Sequence, residues 1–228
     1  AVRKLTAQDD RKRRRAGSFA VEILGKRLLS SPTAFAESWR RSREGLDLAE
    51  AASDADVAAV ERNLRQETGD DRETQQREQT AASVAGAWLK TVADGLQAEI
   101  AAIDATVAAL GFDLRAGDVA TQDPAHDSRF DVLVALIEEL LRSKGKWRDD
   151  ERLVVFTEYK TTLDYLVLRV RDRYDAERFL TLYGGMDEIE RDAIKGAFND
   201  RSHSARVLLA TDAAAEGLNL QRTARYML

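Results

Sequence analysis

VLLATDAAAEGLNLQ, residues 207–221, starts as an apolar run and then breaks into Thr211, Asp212, three alanines, Glu216, Gly217 and Asn219. The run suits a buried strand. Its exit is built from small side chains, a hydroxyl, a carboxylate and a glycine, which suit contact with phosphate and ribose because they let backbone N–H groups come close.

The same pattern recurs upstream. LVVF (153–156) is a continuous apolar stretch, as expected where both faces of a parallel strand are covered. Leu163, Leu166, Val167 and Val170 mark an amphipathic helix after it, and RFLTLY (178–183) reads as the second strand. Asp187 and Glu190 cap the next helix, with Ile194, Ala197 and Phe198 inward, and ARYML (224–228) opens a fourth strand. Alternation of this kind predicts an α/β fold with an open parallel sheet, whose ligands bind outside the carboxyl ends of the strands. Those ends carry Thr157 to Thr161, then Gly184 and Gly185, then Thr211 and Asp212. Turns are commonly made of such residues. Three of them in register on one sheet edge favour a phosphate track instead.

Residues 1–112 read as helix. Phe19, Ile23, Leu24, Leu28 and Leu29 keep helical spacing, and Ser31 with Pro32 supplies an N-cap and a first helical residue. Val57, Val60 and Leu64 mark a short amphipathic piece before the polar stretch GDDRETQQREQT (69–80). Val84, Trp88, Val92, Leu96, Ile100, Ile103, Val107 and Leu110 then step by three and four, predicting one long helix that Gly111 ends. Residues 113–127 read as a linker. Beyond it, Ser128 and Asp131 form an S-x-x-D capping box for a helix that Gly145 stops.

The bulk composition excludes several chemistries. The 228 residues contain no cysteine, and the two histidines, His126 and His203, lie far apart in polar surroundings, so no metal ligand set and no catalytic residue is assigned. The net charge of −5 argues against a general polyanion coat. RKRRR (11–15) is a local basic run, read as a solvated helix face or a terminus ahead of a nucleic-acid contact. No apolar run approaches the roughly 20 residues that cross a bilayer, so no membrane association and a cytoplasmic location are expected.

VVFTEYKTTLDYL (154–166), LYGGMDEIERDAIKGAF (182–198) and VLLATDAAAEGLNLQ (207–221) together resemble consecutive blocks of the second RecA-like lobe of superfamily 2 helicases and translocases. The flavour is that of the bacterial Swi/Snf-type group, with GLNLQ in place of the GLD or GID of DEAD-box RNA helicases. The resemblance implies a RecA-like parallel sheet with flanking helices over residues 128–228, incomplete at its C-terminal side. The all-α region at 1–112 would be a protrusion between two lobes. It also implies roles: Thr157, Gly184, Gly185 and Thr211 on the nucleic-acid backbone, Arg191 as an internal brace, and Gly217 and Asn219 on the ATP side. Asn219 stands where DEAD-box enzymes carry aspartate.

The sequence has no GxxxxGKS/T loop and no DEAD- or DEAH-like quartet. The chain therefore reads as a fragment of an ATP-hydrolysing translocase on duplex DNA, inactive by itself. ATP and Mg2+ are expected to be cofactors of the whole protein, and a first lobe its intramolecular partner. Two alternatives stand beside this: an RNA helicase lobe, and a non-enzymatic module whose Val84–Leu110 helix docks a protein partner.

Overall fold

The computed structural model describes residues 1–215 and 223–228, and the chain divides into two compact units. The first comprises Ala1–Thr68 and Glu73–His126; the second comprises Gly69–Arg72 and Asp127–Leu228.

The first unit is built around α1 (Val2–Leu5), α2 (Arg11–Ser30), α3 (Pro32–Leu46), α4 (Asp54–Leu64), α5 (Asp71–Leu89, whose first two residues belong to the second unit) and α6 (Gln97–Ala109). The expected cap at Ser31 is present: its Oγ accepts the Ala34 N–H at 3.0 Å, with Pro32 opening α3. RKRRR forms the first turn and a half of α2, with Arg13 bonded to Asp9 at 3.0 Å and Arg15 to Glu61 at 2.9 Å. Leu28 and Leu29, expected on the apolar face, are exposed near the end of α2.

The single long helix expected from Val84 to Leu110 does not form. Helix α5 stops at Leu89, a 3-10 segment covers Lys90–Gly95, and α6 begins at Gln97. The break lets one apolar stripe serve two cores. Trp88, Leu89 and Leu96 pack with Ala16, Ala20, Ile23 and Val57 in one cluster, while Val107 joins Phe35, Trp39, Phe112 and Val119 in another. Gly111, at φ +93°, does end α6 as expected. Its N–H donates to the Ala108 carbonyl and the Phe112 N–H to that of Val107, a Schellman closure.

Helices α3 and α5 touch backbone to backbone. A Cβ on Gly45 or Gly86 would collide with main-chain atoms of the facing helix, around Ser83 and Ala87 for the first and Ser42 for the second. The Ser42 hydroxyl donates to the Ala82 carbonyl at 3.0 Å across the same crossing. Alanine is a better helix former than glycine by about 1 kcal/mol. Even so, Gly86→Ala is expected to destabilise the first unit by roughly 1–3 kcal/mol, the usual cost of overpacking. Urea denaturation checks this, and an unchanged midpoint would show that the helices can separate at no cost.

The second unit contains α7 (Ser128–Leu136), continued by a π-helical turn at Ile137–Leu141, then β1 (Arg142–Ser143) and β2 (Lys146–Trp147). These are followed by β3 (Leu153–Thr157), α8 (Lys160–Arg171), β4 (Phe179–Leu182), α9 (Glu188–Asn199), β5 (Val207–Thr211), α10 (Asp212–Ala215) and β6 (Tyr226–Met227). Two local expectations need correction. The N-cap of α7 is Asp127, whose Oδ1 accepts from Arg129 and Phe130, so the capping carboxylate lies one residue ahead of the expected S-x-x-D box. Gly145, at φ +77° beside Lys144 at φ +50°, forms the tight turn of the β1–β2 hairpin and is not a helix stop.

Strands β4, β5, β3 and β6 form one parallel sheet in that order. Leu153, Val155, Val207 and Leu209 pack with Phe130, Leu133, Leu163 and Val170. Alternate residues Val154, Leu208 and Ala210 pack with Leu182, Phe198 and Ala214 on the other side. Both faces of β3 and β5 are therefore covered, which is why their sequences show no polar alternation. A parallel sheet with flanking helices is the arrangement of a RecA-like α/β fold, and the other unit is all-helical.

Candidate nucleic-acid interface

Parallel pairing fixes where the strands end. Thr157 of β3 is the register partner of Thr211 of β5, and Leu182 of β4 pairs with Ala210. The Gly184–Gly185 turn thus begins where Thr211 ends its strand. Thr157, Gly184 and Thr211 are brought to a single sheet edge, as the strand reading requires.

The chemistry of that edge is one of convergent donors. The Gly184 N–H and the Thr211 hydroxyl both donate to one oxygen, Oδ2 of Asp71, each at 2.5 Å. Thr211 is fully buried and Asp71 is 5% exposed, whereas Thr157 is partly open. The Thr157 Oγ1 accepts the Tyr159 N–H at 3.5 Å, a long bond that shapes the turn into α8. Gly185 takes φ +83°, a conformation that disfavours any residue with a Cβ.

Three neighbours complete the edge. Lys160, at the start of α8, holds its Nζ 4.5 Å from the Tyr183 ring centre and 2.6 Å from Asp164. Arg72 also lies over this ring, at 5.6 Å, and donates to the Tyr183 hydroxyl at 2.9 Å. Arg191 donates to the Ala214 carbonyl at 3.1 Å, tying α9 to α10 just behind Thr211. Asp212 is exposed, and Gly217 and Asn219 lie outside the described residues.

Sequence reasoning found the three strand ends and missed Asp71, Arg72 and the Lys160–Tyr183 pair. Asp71 sits in a polar stretch separated from Thr211 by 140 residues, and no local pattern connects them. Among the described residues no group of three or more His, Asp or Glu side chains could hold a metal ion. No helix among them is long and apolar enough to cross a membrane.

Residues 129–227 match the family described as helicase conserved C-terminal domain. This region is similar to helicase C-terminal domains. Its matched span covers the four-stranded sheet and every strand end described above. The chain is also similar to the pre-mRNA-splicing ATP-dependent RNA helicase PRP28 of Candida glabrata, at 31% identity over 116 aligned residues. The alignment covers 43% of this chain and 19% of that protein, so the chain spans about a fifth of the length of this relative. No solved structure matches the chain.

Proposed function

We propose that the helicase C-terminal domain serves as the second motor lobe of an ATP-dependent helicase or translocase, gripping the nucleic-acid backbone through Thr157, Gly184, Gly185 and Thr211. The observation that carries this reading is the convergence of the Gly184 N–H and the Thr211 hydroxyl on one anionic oxygen. Two donors fixed by a sheet edge and aimed at a single acceptor match what a phosphate oxygen needs, and they read no base.

In this reading Gly217 and Asn219 face ATP when a first lobe closes against the domain, and Arg191 keeps α10 in place behind Thr211. ATP and Mg2+ would be cofactors of the whole protein. ATP would supply the free energy for lobe closure. The role of this chain is to hold and release backbone phosphates as closure proceeds. Residues 1–112 would form a helical protrusion carried by the motor.

Duplex DNA is the favoured substrate because GLNLQ (217–221) follows the Swi/Snf-type pattern. An RNA substrate is the second reading, favoured by the similarity to an RNA helicase. The docking-module alternative loses its motivating feature, since the stripe from Val84 to Leu110 is taken up by the two cores of the helical unit.

In the protein carrying both lobes, Thr211→Val is expected to lower nucleic-acid-stimulated ATP hydrolysis about tenfold, because a hydrogen bond to a charged group contributes about 1.5 kcal/mol or more. Thermal stability should hold within a few degrees. The assay compares duplex DNA with duplex and single-stranded RNA as activators. Stimulation that survives the substitution unchanged would remove Thr211 from the grip, and stimulation by RNA alone would transfer the reading to an RNA helicase.

A further inference from the structure

The second unit of the fold is not continuous in sequence: it includes Gly69–Arg72, while the chain on both sides of that segment belongs to the helical unit. This short strap lies on the residues assigned to the backbone grip. The Asp71 carboxylate accepts from the Gly184 N–H and the Thr211 hydroxyl, and the Asp71 N–H donates in return to the Gly184 carbonyl at 3.2 Å. A Cβ on Gly184 would meet the Gly69 carbonyl, and one on Gly185 would come within 2.7 Å of the Asp70 carboxylate. Arg72 fastens the strap's far end to Tyr183 through ring and hydroxyl.

A carboxylate presents what a phosphate diester presents to such donors, namely anionic oxygens that accept hydrogen bonds and give none. Two anions cannot share the same two donors, and the Asp70 and Asp71 carboxylates would also repel an approaching phosphate. We infer that the Gly69–Arg72 strap is a built-in competitor, with Asp71 standing in the phosphate position, so that nucleic acid engages Gly184 and Thr211 only after the strap has left. The inference rests on the proposed backbone-grip role of those two residues.

The test measures binding of a short fluorescein-labelled DNA duplex, and of RNA of the same sequence, by anisotropy on the 228-residue chain. Four proteins are compared: the natural chain, Asp71→Ala, Thr211→Val and the double variant. If the grip-competent form is the minor one, removing the competitor is expected to tighten binding about fivefold or more. Thr211→Val should then weaken binding in the Asp71→Ala background. Binding that is no tighter in Asp71→Ala, with Thr211→Val still weakening it, would overturn the competitor and leave the grip standing. A Thr211→Val change without effect in the Asp71→Ala background would overturn the grip and the competitor with it. Should Asp71→Ala fail to fold, hydrogen exchange on the natural chain answers the same question. The backbone amides of Asp71 and Arg72 should exchange faster at saturating duplex, and unchanged protection there contradicts strap release.

Discussion

Replacing Phe198 with alanine is expected to destabilise the second unit by roughly 3–5 kcal/mol, the usual range for emptying a fully buried aromatic site. Phe198 is fully buried on the last turn of α9, packed with Val154, Leu182, Leu208 and Ala210 beneath the sheet. Its surroundings cannot easily collapse into the gap, because a buried arginine is fixed over it. The Arg152 guanidinium carbon lies 5.4 Å from the ring centre, and its nitrogens donate to the carbonyls of Phe198, Asp200 and His203. Burial, and then the neighbouring Arg206, pulls the Arg152 pKa below the ordinary guanidinium value. The nearby Asp200 charge opposes this, and the ring contact favours the charged form as well. Phe198→Leu, which keeps most of the volume, should cost much less. Denaturant titration of both variants checks the contrast, and equal losses would show that ring shape, not volume, sets the cost.

The second large effect is expected in the helical unit. Trp88 is fully buried among Ala16, Ala20, Ile23, Val57 and Leu96, and its indole N–H donates to Asp54 Oδ1 at 2.7 Å. Arg13 covers the ring at 5.6 Å. Trp88→Ala removes packing, the cation–π contact and the donor to Asp54 together. A loss of about 3–5 kcal/mol follows from the cavity alone. Trp88→Phe separates the contributions, since it keeps most of the ring and loses the N–H. Circular dichroism melts of the two variants should rank alanine well below phenylalanine. The reverse order would mean that the Asp54 bond dominates the site.

The strands of the second unit were legible because burial on both faces leaves β3 and β5 without polar alternation. Hydrogen-bonding partners that are backbone carbonyls leave no such mark. Arg152 and Arg206 flank two strands and look like solvated charges in sequence, yet they are 2% and 3% exposed. Arg206 donates to the carbonyls of Arg148, His203 and Ala205 and to Asp149. Those acceptors exist only once the turns around them have formed. The helix break at Lys90–Gly95 was hidden for a different reason: a stripe at helical spacing continues across it, and only the separation of two cores shows that the stripe is divided. At the site, local chemistry predicted the three strand ends, while the carboxylate that joins two of them came from far away in the chain.

The strap has one more property, which follows from its connectivity. Because both of its ends run into the helical unit, Gly69–Arg72 cannot diffuse away when it lets go of Gly184 and Thr211. It stays at an effective concentration set by its tethers, commonly in the millimolar range for short connections. Diluting the protein therefore does not relieve the competition, and adding nucleic acid does so only in proportion to its own concentration. Changes that stiffen or loosen the chain on either side of the strap, such as at Thr68 or Glu73, would retune occupancy of the sheet edge without touching a single residue on it.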